Sequence, residues 1–144
     1  MTNNSFKKVR QTEDHLYGLR KILLCGYSRD ELKHFQKILK EAQLSDIALI
    51  AASTESLSQE LKVLFSQADK TNFSKDSVIK RTAILAGITE KELHYIMNAY
   101  RTSGLPRQFW AALTPVSEKW TLQELLDELK KENEALRKRQ LAKN

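Results

Sequence analysis

The sequence predicts an α/β fold in which a duplicated strand–helix–strand–helix unit builds a four-stranded sheet covered by helices on both faces. Three observations predict it. The segment KILLCGYSRDELKHFQKILKEAQLSDIALIAAST lies without gaps on TAILAGITEKELHYIMNAYRTSGLPRQFWAALTP at a constant offset of 61 residues. In each copy a short apolar run meets a glycine and then a helix-start signal. The strands read as near-continuous apolar runs without polar alternation, the pattern of a sheet buried on both faces. A parallel, doubly wound sheet is the favoured topology for this element order. A ferredoxin-like sheet with extra helices is the alternative, because that fold also uses a duplicated strand–helix–strand unit.

The first strand is predicted at Ile22 to Cys25 and its counterpart at Ala83 to Ala86. Gly26-Tyr27-Ser28 and Gly87-Ile88-Thr89 follow them. Ser28 and Thr89 are N-cap residues whose hydroxyls accept an orphan backbone N–H, while Glu31 and Glu92, three residues on, complete a capping box. Tyr27 with Leu32, and Ile88 with Leu93, supply the hydrophobic staple that fixes each helix's approach angle. Helical spacing then runs through Leu32, Phe35, Leu39 and Ala42 in one copy and Leu93, Ile96 and Tyr100 in the other. A shorter helix is expected at Leu57 to Phe65. Trp120, Thr121, Glu124 and Leu125 repeat the staple and box, opening a last helix that extends to about Arg139.

These elements divide the chain into a basic leader (1–19), one α/β domain (20–130) and a basic helical extension (131–144). Within the domain, copy one spans 20–66, a polar connection 67–80 and copy two 81–130.

A chain of 144 residues with 41% hydrophobic and 29% charged residues has the composition of an ordinary globular domain. Its longest apolar runs are about six residues, far short of the roughly 18 needed for a membrane span. The N-terminus lacks the apolar stretch of a secretory signal, so a cytoplasmic location without membrane contact is expected. Cys25 is the only cysteine, which excludes an internal disulfide and a cysteine metal cage. The net charge of +6 comes from the ends: 1–20 contribute +2, 130–144 contribute +4, and 21–129 hold fourteen charges of each sign. A basic tail alone gives weak, salt-sensitive attraction to phosphate, so weak nucleic-acid binding through the basic tails stands as an alternative function, although nucleic acid is not the expected partner.

The stretches AILAGITEKELHYIMNAYRTSGLP and WAALTPVSEKWTLQELLDEL, above all the TP-x-S-x-x-W-T-L segment from Thr114 to Leu122, resemble a bacterial family known only as domain of unknown function 3783. The likeness covers about residues 82–130 and implies a prokaryotic, cytosolic protein. It implies no catalytic or binding residue.

If the sheet is parallel, Gly26, Tyr27, Ser28 and Gly87, Ile88, Thr89 converge at the strands' C-terminal ends, where open α/β sheets place ligands. Two helix N-termini would then face one small anionic ligand. The plain alternative is that these residues only turn the chain and cap helices. Cys25 and the Gly26-Tyr27-Ser28 turn offer an enzymatic alternative based on a thiol or a phosphate, although the pairing of Cys25 with Ala86 reads as a small buried residue. A protein partner is expected at Trp110, at Trp120 or along Arg137, Lys138 and Arg139. No metal site or cofactor is indicated. Glu132 falls where a second heptad leucine should stand in the last helix, so a monomer or a weak homodimer is expected rather than a coiled coil. Together these features predict a non-enzymatic interaction or small-ligand-binding module.

Overall fold

The computed structural model describes residues 15–74 and 77–143, so the leader 1–14, residues 75–76 and Asn144 lie outside the described residues. Strand β1 (Lys21–Cys25) is followed by α1 (Arg29–Glu41), β2 (Ala48–Ala51) and the short α2 (Leu61–Leu64). The second half repeats the order as β3 (Thr82–Ala86), α3 (Glu90–Arg101), β4 (Phe109–Ala112) and α4 (Leu122–Lys143). The short helix expected at Leu57–Phe65 is divided into a 3-10 turn at Thr54–Ser58 and α2.

The sheet order is β2-β1-β3-β4. β1 pairs parallel with β2 and β3 parallel with β4, but β1 and β3 run antiparallel at the centre. The all-parallel, doubly wound expectation is therefore corrected to a mixed sheet. The ferredoxin-like alternative is not met either, because there the strands of one unit are split by a strand of the other. Here each unit keeps its own two strands side by side. The central pairing matches Lys21 with Ala86, Leu23 with Ile84 and Cys25 with Thr82. Leu23 thus pairs with the residue that the offset of 61 lays on it. Glu60 and Thr121, also 61 apart, form a second antiparallel bridge, flanked by Leu61 N–H to Trp120 O and Leu122 N–H to Gln59 O.

Helices cover both faces. On one, Ile22, Leu24, Leu49, Ala83 and Leu85 pack against Leu32, Phe35 and Leu39 of α1 and Ile96 and Tyr100 of α3. On the other, Leu23, Cys25, Ile50 and Ile84 pack against Leu61 and Leu64 of α2 and Leu122, Leu125 and Leu126 of α4. Burial on both faces is why the inner strands carry no polar alternation. Among the described residues no helix is long and apolar enough to cross a membrane.

The two sheet edges differ. Residues 69–72 strap the edge of β2: Leu49 N–H donates to Asp69 Oδ1, Lys70 N–H to Leu49 O, Ala51 N–H to Thr71 O, and Asn72 Nδ2 to Ala51 O. β4 has no such strap among the described residues. Phe109 N–H and Leu113 N–H bond β3 and its approach, so the alternation of a strand turns the N–H and C=O groups of Trp110 and Ala112 outward. These outward groups have no partner among the described residues.

Candidate functional site

The antiparallel centre sends the two glycine turns to opposite ends of the sheet. Cys25, before Gly26, is level with Thr82, while Ala86, before Gly87, is level with Lys21. The shared crevice expected of a parallel sheet is absent. Ser28 and Thr89 accept the N–H groups of Glu31 and Glu92, and both carboxylates reach back to complete the predicted capping boxes. Tyr27 and Ile88 are buried. The turns therefore act first as helix starts.

Each turn instead meets the chain entering the other unit. Gly26 has φ +78°, and a Cβ there would stand 2.4 Å from Ile79 O. Gly87 has φ +66°, and a Cβ there would stand 2.6 Å from Gly18 O. Only glycine accommodates both the backbone angle and the approach. The crossing chains bring in two arginines that sequence reasoning did not single out, Arg20 before β1 and Arg81 before β3. Arg20 Nη1 and Nη2 donate to Glu92 Oε1 and Oε2 at 2.7 and 2.8 Å. Arg81 Nη1 donates to Glu31 Oε1 at 2.9 Å and to Gly26 O at 3.2 Å. The signal for both was available, since Arg20 and Arg81 stand 61 residues apart, as do Glu31 and Glu92.

The surroundings of the two arginines diverge. Leu39, Ile47 and Ile88, which the offset of 61 matches to residues around Arg81, are all buried and apolar. At the Arg81 end the offset of 61 replaces them with Tyr100, Gln108 and Tyr27. Arg81 Nε donates to Tyr100 Oη at 2.9 Å, and that hydroxyl donates in turn to Pro106 O. The Arg81 guanidinium lies 3.9 Å from the centre of the Tyr27 ring, a cation–π contact. Tyr27 Oη donates to Gln108 Oε1 at 2.7 Å. Burial, with lesser electrostatic effects from Tyr100, pushes the Tyr27 hydroxyl well above its ordinary pKa and keeps it a neutral donor. Glu31 loses some solvation, but the Ser28 N–H and Arg81 hold its carboxyl below the usual range.

This polar cluster backs a cleft of about 620 Å³. Lys80, Arg81, Arg107 and Gln108 form one side, and Arg137 on α4 forms part of the other. Leu136 and Phe109 add apolar surface, and Lys80 Nζ stands 4.8 Å from the centre of the Phe109 ring. No carboxylate lines the cleft among the described residues. Arg81 Nη2 and Gln108 Nε2 are buried beside it without an acceptor among the described residues. Buried donors are normally satisfied, so these two call for acceptor atoms that the described residues do not supply.

The other expected site residues are not gathered here. Trp110 is half-buried with its ring edge-on to Tyr100 at 5.4 Å, so the strand's backbone faces outward while the ring faces the core. Trp120 packs on the opposite sheet face. Arg137 joins the cleft, while Lys138 and Arg139 are exposed along α4 and do not line it. Cys25 is wholly buried, and desolvation pushes its thiol up to about 12. It therefore presents no thiolate to solvent at neutral pH. Among the described residues no cluster of His, Cys, Asp and Glu has the makings of a metal site.

Residues 81–136 match the family model of a domain of unknown function (DUF3783). The match begins at Arg81 and takes in Arg107, Gln108 and the first half of α4, so it contains most of the cleft. No curated protein and no solved structure matches the chain.

Proposed function

We propose that this protein is a non-enzymatic interaction module that takes up an extended, acidic segment of a partner protein along the open edge of β4. The unpaired backbone of Trp110 and Ala112 carries this reading. Exposed strand edges are templates for a further strand, and proteins usually cover or charge them. The described residues strap the edge of β2 and leave that of β4 bare. Strand addition supplies main-chain hydrogen bonds, while nearby pockets supply specificity. The adjoining cleft, with Lys80, Arg81, Arg107 and Arg137, selects for negative charge. In this reading the two halves are copies of one duplicated unit, the second specialised for binding, and the setting is the bacterial cytoplasm that the family resemblance implies.

The buried thiol gives no support to a Cys25 enzyme. The test is titration of the full chain with a hexapeptide of alternating Glu and Val, followed by NMR. Amide shifts at Trp110 and Ala112 are expected, and Ala112→Pro, which leaves no amide at 112 to follow, should abolish the shift at Trp110. Proline suits an edge position whose N–H faces outward, so this variant keeps the fold and removes the donor. Peptide binding that leaves these two amides unmoved, or that persists in Ala112→Pro, would exclude strand addition.

A further inference from the structure

The Arg20 end of the molecule shows what the Arg81 end lacks. Arg20 is saturated by two carboxylates. Besides Glu92, it donates from Nε to Asp46 Oδ2 at 2.7 Å and from Nη2 to Asp46 Oδ1 at 3.4 Å. Arg81 has the first of these partners in Glu31 but, among the described residues, not the second. The offset of 61 lays Asp46 on Arg107, so where one end carries an intramolecular carboxylate the other carries a cation. The remaining contacts follow from that exchange. Arg81 Nε turns to Tyr100, and Nη2 is left buried with no acceptor. Gln108, the neighbour of Arg107, holds its Nε2 in the same condition.

We propose that the Arg81 cleft binds a carboxylate, with Arg81 Nη2 and Gln108 Nε2 as its buried donors and Arg107 as its exposed counter-charge. The ligand takes the role that Asp46 fills at Arg20. A planar carboxylate matches the forked donors of a guanidinium, which is the geometry Arg20 already uses with Asp46. Lys80 and Arg137 at the rim add the field that draws an anion in. The carboxylate belongs either to a small free acid or to an acidic side chain of a peptide. The site deepens the binding reading above by naming what the basic cleft holds. It rests on side chains rather than on the strand edge, so either proposal can fail while the other stands.

The full chain is titrated with citrate, with inorganic phosphate and with the Glu-Val hexapeptide, while the Gln108 side-chain amide and the Arg81 backbone amide are followed by NMR. Citrate should shift both signals, with phosphate weaker. Arg107→Asp, which rebuilds the Asp46 arrangement at an exposed position, should lower citrate affinity by at least about tenfold. Lys37→Asp makes the same charge change on the exposed side of α1 and should alter it by less than about twofold. A hexapeptide that binds tighter than citrate identifies an acidic side chain as the source; the reverse order identifies a free acid. With the hexapeptide, shifts at Gln108 without shifts at Trp110 and Ala112 would support the carboxylate site and count against strand addition. The proposal is overturned if Gln108 does not respond to citrate or the hexapeptide, if phosphate binds more tightly than both at Gln108, or if Lys37→Asp weakens binding as much as Arg107→Asp.

Discussion

Arg81 Nη1 stands 2.9 Å from Glu31 Oε1, so the residue that leads into β3 closes the capping box of the helix that follows β1. Arg20 and Glu92 repeat the contact at the other end at 2.7 Å. Each unit is thereby stitched to the other by a side chain from just outside its central strand. The two stitches are not equal: among the described residues Arg20 keeps a second carboxylate and Arg81 does not.

That inequality sets the order of two conservative substitutions. Glutamine at the third helical position still completes a capping box, so Glu31→Gln and Glu92→Gln isolate the ionic contact. The Arg81 side chain is only 12% exposed and Glu31 is its only carboxylate partner among the described residues, whereas Arg20 is 28% exposed and retains Asp46. Glu31→Gln should cost about 2–3 kcal/mol and Glu92→Gln about 1 kcal/mol. Urea unfolding measures both, and equal losses would contradict the ranking.

The crossing at Gly26 makes a second prediction. Alanine there adds a Cβ at 2.4 Å from Ile79 O in a backbone with φ +78°. The segment carrying Arg81 must move, and Gly26→Ala should cost about 3 kcal/mol or more. Loss of the Arg81–Glu31 contact would accompany it, visible as a shift of the Glu31 carboxyl carbon by NMR.

Acid should weaken the Arg20 end in a defined window. Hydrogen bonding from Arg20 holds the Glu92 carboxyl at about 2, against an ordinary value of 4.5. A group depressed on folding stabilises the protein above its unfolded pKa, and that contribution is lost as pH falls through the folded value. Stability from Glu92 is therefore complete above about pH 5 and disappears between about pH 4.5 and 2, by roughly 1 kcal/mol once solvent screening is allowed for. Glu92→Gln should flatten this part of the urea-midpoint profile.

Cys25 provides a probe of global opening. With its thiol buried and pushed up to about 12, iodoacetamide at neutral pH should modify it only through unfolding. Its labelling rate should track urea-induced unfolding, and rapid labelling of the native protein would contradict the packing described.

The sequence made the helix starts and the two-faced sheet legible, because capping boxes are local and strands covered on both sides carry only apolar residues. It did not reveal the direction of β3 against β1. ILLC and AILA read alike whether their neighbour runs parallel or antiparallel, since both faces are buried either way. That direction separated Gly26 from Gly87 and dissolved the shared crevice. The cleft was not legible for a different reason: a duplication is visible at the positions where the halves agree. The cleft's residues lie where they disagree, at Asp46 and Arg107, Ile47 and Gln108, Leu39 and Tyr100.

The most direct test of the binding edge needs no ligand. Amide hydrogen exchange of the free protein should show Leu49 and Ala51 protected by the strap over β2, while Trp110 and Ala112, on the bare edge of β4, exchange at close to unprotected rates. The Glu-Val hexapeptide should then slow Trp110 and Ala112 alone among these four. Protection of Trp110 and Ala112 in the dilute free protein would mean that the edge is already covered, and would contradict the account.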